Sequence, residues 1–449
     1  MTQEYKAAHL PHLQGVAAWN AMLPEHVSVP ELDHGHSCDV AIIGAGFAGL
    51  AAARRLQQLD ASLDITVLDA LALGEGGVGR NSGFMIDLPH DLTSEDYAGA
   101  GSALDNVLTR LNRQAIGFAG EAVDDYGIAP HYFEPAGKIN GATTAGGDQA
   151  NRQYAGHLTA MKEPFEVLDA GAMQEITGSR FYTSGIYTPG TVLLQPAGYA
   201  QGMARGLMRD GARLFVNSPV LKFAKTTGSW RLTTPKGHVD AHKVILAVNG
   251  HLGSFGVQAG KLLHLFLFSS MTCRLDDAQC TRLGGQARWG ITPSDPMGTT
   301  VRRIQNAESG TRIITRTGVA YCPDTRPTAV QLKRAIPVMR NKFERRFPDL
   351  AGVAMAYCWS GHVCLSYNGV SFGKPVEEGV FAACVQNGLG ATRGTLTGIA
   401  AAEQALGVAS EISDYFAREP PLARLPPEPF ATWGVRTVLR WRQWCAGLE

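Results

Sequence analysis

The sequence has no excess of charge of either sign: Lys plus Arg and Asp plus Glu each number 40 among 449 residues. That balance removes the usual electrostatic reason to expect nucleic acid or an anionic surface as partner, although local basic patches can still form. No CxxC pair occurs among the eight cysteines (38, 273, 280, 322, 358, 364, 384 and 445), and no Cys/His cluster has zinc spacing. No metal site is therefore expected, and the thiols read as free in a reducing compartment. No run reaches the ~20 apolar residues of a membrane span. The opening segment MTQEYKAAHLPHLQG has neither an apolar core nor a cleavage site of the secretory kind. The expectation is a cytoplasmic protein. What remains is ordinary globular composition, 45% hydrophobic and 18% charged, in a chain long enough for two or more cores.

Residues 1–37 are polar, with an isolated Trp19, and read as an arm lying on the surface. Structure begins abruptly at Cys38. CDVAII is an apolar run suited to a buried parallel strand. GAGFAGLAAARRLQQL then switches to helical periodicity, and DITVLD reads as a second buried strand, which makes a right-handed βαβ unit. Its turn is Gly44-Ala45-Gly46-Phe47-Ala48-Gly49. The first glycine permits the tight turn, the second lets backbone approach a pyrophosphate, and the third lets helix pack on sheet. The pyrophosphate would lie on the helix N-terminus, where N–H groups and the dipole favour negative charge. Asp69 stands 20 residues beyond Gly49, where an acid accepts hydrogen bonds from a ribose hydroxyl. The acid argues against NADP but leaves NAD and FAD open.

A second glycine cluster, with Gly76, Gly77, Gly79, Arg80, Asn81, Ser82 and Gly83, follows almost at once. Its glycines let the chain pass close to a ligand, and Arg80 with the small polar residues could bond phosphates or a ring edge. Residues 101–127 and 197–211 read as helices, 262–320 as strand-rich. Residues 326–348 read as an amphipathic helix that Pro337 must bend or interrupt. Glycine turns return at 385–398, and a helix follows.

This ordered set resembles the FAD-dependent amine and amino-acid oxidoreductases of the D-amino-acid oxidase and glycine/sarcosine oxidase family. It is most similar to their γ-glutamylputrescine oxidoreductase branch. The resemblance rests on CDVAIIGAGFAGL, GVGRNSGF, VILAVNGHLG, WSGHVCLSYNGVSFGK, CVQNGLGATRGTLTGIAAAEQALG and the tail PPEPFATWGVRTVLRWR, and covers nearly the whole chain. It implies that Gly44, Gly46, Gly49 and Asp69, with Phe47 and Ala48 in the same turn, hold the ADP half of FAD. Gly79, Arg80, Asn81, Ser82 and Gly83 would lie near the pyrophosphate and flavin. Val220 would meet the adenine, Ala247 and Gly250 would line the nearby turn, and Gly388, Leu389, Gly390 and Thr392 would approach the flavin's pyrimidine edge.

The resemblance also implies softer candidates. Cys364 lies roughly where sarcosine oxidases carry a cysteine bonded to the flavin, but their fuller pattern is absent, so a buried structural thiol and non-covalent FAD are preferred. Arg302, Arg303 and Arg393 are candidates for a substrate carboxylate, with a surface or structural salt bridge as the equal alternative for each; Lys261 is a candidate for assisting oxygen; and His264, Phe266 and Phe268 lie on a strand expected near the ring face, with core packing preferred. Trp433, Arg436, Arg440, Trp441, Arg442 and Trp444 form a basic, aromatic tail helix that could dock on a membrane surface, with packing on its own domain preferred.

The expected fold is α/β. A discontinuous Rossmann-like FAD-binding domain would be built from 38–90, 196–255 and 356–449. A second α+β substrate domain, from 91–195 and 256–355, would be built on an antiparallel sheet. The expected reaction is oxidation of a C–N bond in an amine or amino acid, with oxygen or another acceptor taking the electrons. Three rivals stand beside it: an NAD-dependent dehydrogenase, which leaves the later glycine runs unexplained; a flavoprotein oxidising the C–O bond of a 2-hydroxy acid; and a FAD-containing subunit serving electron transfer or structure.

Overall fold

The structure is a computed structural model that describes residues 4–89, 102–447 and 449. Residues 90–101 of the expected segments lie outside the described residues. Two large sheets organise the chain. The first has nine strands. Its centre is parallel: Gly35–Ile43 pairs with Ile65–Leu68 on one side and His238–Leu246 on the other. Arg213–Phe215 and Val380–Ala382 extend the parallel part. Burial on both faces explains why these strands read as unbroken apolar runs. The hairpin strands Lys222–Lys225 and Trp230–Thr233 add an antiparallel edge, which Glu4–Lys6 of the arm completes.

The second sheet has eight strands, in the order Met355–Ser366, Leu262–Thr272, Gly310–Tyr321, Thr300–Asn306, Trp289–Pro293, Lys138–Ala142, Ser184–Thr188 and Glu166–Asp169. It is antiparallel except where Trp289–Pro293 meets Lys138–Ala142. A small sheet of Phe84–Met85, Val192–Leu194 and Phe133–Pro135 lies between segments expected in different domains. The mixed α/β architecture is as expected. Sheet membership departs from the drawn boundaries at two places. Met355–Ser366 belongs to the second sheet, and the helix Ser102–Tyr126 puts Leu111, Ala115, Ala119 and Ala122 into the core of the first.

The helix Phe47–Leu59 packs against Gly390–Leu406 along small residues. A Cβ on Gly398 would come 2.2 Å from the carbonyl oxygen of Ala48, so the two backbones touch directly. At the turn itself Gly44 has φ +110, and a Cβ on Gly49 would fall 1.8 Å from the Gly44 carbonyl.

One expectation is corrected, and a second loses one of its two alternatives. The arm is not a surface strip: Trp19 has no exposed surface, and its Nε1–H donates to the carbonyl of Asn81 at 2.8 Å. An indole needs a partner for that N–H when buried, and the second glycine loop supplies it. The helix Ala329–Arg346 runs unbroken through Pro337. Pro337 sits between exposed Ile336 and Val338, where water can serve the carbonyl that loses its N–H partner.

Replacing Gly398 with Val should force the two helices apart. The expected outcome is a loss of about 1–3 kcal/mol or more in urea unfolding, with weaker FAD retention, since overpacking at a backbone contact cannot be relieved by a rotamer.

Candidate functional site

Two adjoining cavities lie between the sheets. The first, about 250 Å³, is lined by the three glycine runs the sequence singled out, together with Asp69, Val220 and Ala247. The second, about 520 Å³, opens beside it. Gly77, Asn81, His362, Val363, Gly388 and Gly390 line both, so the two are continuous.

The first cavity is shaped for an anionic, extended ligand. The helices Phe47–Leu59 and Gly390–Leu406 both begin there, and neither has a side-chain cap or an acid in its first turn. Their first N–H groups are left for a ligand, with the dipoles favouring negative charge. A Cβ on Gly46, Gly76, Gly77 or Gly390 would meet nothing within 4 Å, because the cavity lies there. Asp69 anchors the floor, its carboxylate accepting from Ala45 N at 2.7 Å and Leu71 N at 2.9 Å. Burial raises its pKa while those backbone bonds pull it down. Two N–H partners leave carboxylate lone pairs for a ribose hydroxyl. The arm closes the far side with Ala7, His9, Leu10, Pro11 and Leu13, a wall that the composition of 1–37 did not suggest. These features fit FAD.

Several expected site residues do other work. The Arg80 guanidinium donates to the carbonyls of Glu75, Gln14 and Ser360 and pairs with the Glu75 carboxylate, so it ties the loop to the arm. Arg80 itself, Ser82 and Leu389 line the second cavity, whereas Gly49, Gly79, Gly83, Gly250 and Thr392 line neither. Gly79, Gly83 and Gly250 are packing glycines: an added Cβ would strike Gly74, Arg302 and His362 respectively. The Thr392 hydroxyl donates to the Ile86 carbonyl at 2.9 Å.

None of the three candidate arginines lines either of these two cavities. Arg302 donates to the carbonyls of Gly83 and Leu194 and lies over the Trp19 and Phe84 rings, holding the second glycine loop from beneath. Arg303 bonds the Gly284 carbonyl, and Arg393 the Gly369 carbonyl. Lys261 bonds Gln258 and lines neither cavity. On the strand Leu262–Thr272 the two alternating sets of side chains part. Leu263, Leu265 and Leu267 line the second cavity, while His264, Phe266 and Phe268 turn away from it.

The residue that was missed is Arg316. It lines the second cavity, with Nη2 donating to Thr300 Oγ1 at 2.6 Å. Burial pulls its pKa down to about 10, so it stays cationic at neutral pH. Arg442 lines the same cavity, and among its described lining residues there is no Asp or Glu. Cys364 is buried on the first cavity, and burial pushes its thiol pKa well up, away from the reactive thiolate.

A histidine cluster borders the site. His264 Nδ1 lies 3.2 Å from His362 Nε2, and the His251 and His9 rings continue the row. Burial, reinforced by neighbouring histidines, lowers His251 and His264 to about 4 and holds His362 well below its ordinary value.

Comparison with known proteins agrees with this geometry. Residues 39–404 match the family described as FAD dependent oxidoreductase (DAO). The chain belongs to that family, and FAD is its cofactor. It is 26% identical over 416 residues to the probable oxidoreductase OrdL of Rhizobium meliloti, covering 90% of this chain and 91% of that protein. It is 25% identical over 414 residues to the gamma-glutamylputrescine oxidoreductase of Escherichia coli, covering 91% and 90%. Among solved structures, glycine oxidase from Geobacillus kaustophilus superposes with a TM-score of 0.69 at 19% identity, over 86% of this chain and all of that one. L-amino acid deaminase from Proteus myxofaciens gives 0.67 at 13%, over 93% and 98%. These two likenesses show the fold.

The histidine row sets a pH limit. His251 and His264 stay neutral in the fold down to about 4, whereas in the unfolded chain they take protons near 6.5. Between those values the unfolded state binds more protons, so stability falls as pH drops from about 6.5 to about 4. The expected loss is on the order of a few kcal/mol. Melting temperature against pH should show it, and H264N should flatten the curve.

Proposed function

We propose that the chain oxidises the C–N bond of a small amine or amino acid that carries a carboxylate and an apolar remainder. The observation that carries this reading is Arg316 in a leucine-lined cavity continuous with the cofactor cavity. A cation with no acidic residue beside it among the described lining residues suits a substrate anion. Leu263, Leu265 and Leu267 suit the apolar part and exclude water.

The same charges favour the reactive protonation state. Arg316 and Arg442 disfavour a second cation in the cavity, so an amine entering it loses its proton more readily than in water. Bound FAD supplies the hydride acceptor for the C–H bond next to nitrogen. The released imine is hydrolysed by water to a carbonyl compound and an amine or ammonia. No general base is assigned, since a neutral amine needs none.

The cofactor contacts carried by this reading are Gly44, Gly46, Phe47, Ala48 and Asp69 for the ADP half, Val220 and Ala247 beside it, and Arg80, Asn81, Ser82, Gly388, Leu389 and Gly390 toward the ring. Gly49, Gly79, Gly83, Gly250 and Thr392 act by shaping these segments. FAD is held without a covalent bond, as the high thiol pKa of Cys364 supports. The two-domain division stands with this reading, FAD on the nine-stranded sheet and substrate on the eight-stranded one. Oxygen or another acceptor takes the electrons, and eight free cysteines suit a cytoplasmic setting.

Anaerobic mixing with amines, amino acids, N-methyl amino acids, γ-glutamylated amines and 2-hydroxy acids tests the reaction class. Carboxylated amines should bleach the flavin absorbance. Bleaching by hydroxy acids alone would assign C–O chemistry, and bleaching by nothing in the panel would leave an electron-transfer subunit. Arg316→Met should raise the KM for a carboxylated substrate by about 10²-fold, the value of a charge-assisted bond of roughly 3 kcal/mol, while FAD content stays unchanged.

Acid precipitation should leave a white pellet and a yellow supernatant. A yellow pellet would make Cys364 or another residue a covalent link.

A further inference from the structure

The whole chain is electrically balanced, but its surface is not. The C-terminal helix Phe430–Ala446 carries Arg436, Arg440 and Arg442 and no acid. Its inner face, with Ala431, Val435, Leu439 and Arg442, walls the second cavity. Its outer face bares Trp433 (64% exposed), Trp441 (58%) and Trp444 (79%). Three tryptophans on one helix are a large apolar area to leave in water.

A second helix shares this character. Ala329–Arg346 holds six Lys or Arg against Glu344 alone, and exposes Val330, Ile336 and Val338. Both helices pack against the strand Gly310–Tyr321. Lys342 Nζ donates to the Glu449 carbonyl, beyond the end of the C-terminal helix, at 2.7 Å. Gln331 donates to Cys322 Sγ, just past that strand, at 3.3 Å. Each helix carries exposed apolar residues together with unbalanced cations.

We propose that the outer face of the C-terminal helix is a docking surface for an anionic phospholipid bilayer. Tryptophan and arginine together on an exposed helix face suit the headgroup layer, where the indoles enter the interface and the guanidiniums meet lipid phosphates. Each arginine near such a surface adds on the order of a few-fold in affinity. Charge argues against a second copy of the chain as the occupant: a two-fold contact would set these arginines against their own equivalents. Seated this way, the wall of the second cavity lies one helix diameter, ~10 Å, from the headgroups. The chain is held at the membrane surface without crossing it, and no helix among the described residues is long and apolar enough to cross.

Vesicle sedimentation tests this with the full-length protein carrying FAD. Vesicles of phosphatidylcholine with phosphatidylglycerol should retain the protein at low salt and release it as salt screens the charge. Vesicles of phosphatidylcholine alone should retain little. The triple variant W433S/W441S/W444S, whose residues line neither cavity, should bind about tenfold or more weakly with its flavin spectrum intact. R436Q/R440Q should lose affinity and salt dependence together. Failure of the native protein to bind anionic vesicles at low salt would overturn the proposal, as would equal binding by the tryptophan variant. So would a native dimer that the same variant turns into a monomer, since a second copy would then own the surface.

Discussion

Everything at this site depends on how closely two helices approach. Gly398 against the backbone of Ala48 lets the helices Phe47–Leu59 and Gly390–Leu406 touch without side chains between them. Because they touch, both N-termini open on one cavity. Two uncapped helix starts then present N–H groups and positive dipole ends to the same ligand, about 340 residues apart in sequence. The glycine turns are the means of that approach, and the cofactor is its consequence.

The rest of the shell holds those turns in place. Asp69 braces the first glycine turn against the strand that follows it. Arg80 and Arg302 brace the second, one from the arm side through Gln14 and one from beneath through Gly83. Both are buried cations that donate to backbone carbonyls, Arg80 also pairing with the Glu75 carboxylate, and so fix loops from within the protein. The arm joins the same framework through Trp19 and Asn81.

This explains what the sequence could and could not tell. The nucleotide half was legible because its constraints are local: a glycine turn, an acid at a fixed spacing, a buried strand. Those features depend on backbone geometry within a few residues. The substrate half was not, because it depends on which face a strand presents. His264, Phe266 and Phe268 alternate as regularly as Leu263, Leu265 and Leu267, and only the pairing with Met355–Ser366 decides which set meets the cavity. Arginines posed the same problem. Arg302 and Arg316 both lie on strands of one sheet, and no local pattern separates the one that clamps a loop from the one that faces the cavity. Trp19 looked isolated because its partners, Asn81 and Arg302, are distant in sequence.

Charge placement separates the two halves of the site more sharply than shape does. Around the cofactor, positive potential comes from helix ends and N–H groups, which cannot be titrated away. Over the second cavity, where the proposal seats the substrate, it comes from arginine side chains, Arg316 and Arg442 beside Arg80, with no Asp or Glu among the described lining residues. The bordering histidines add none, since burial keeps them neutral in the working range. An amine that also bears a carboxylate meets an attraction at one end and a penalty on its ammonium form at the other. Arg442 comes from the helix whose outer face carries the tryptophans, so one helix both completes this charge pattern and carries the exposed aromatic surface.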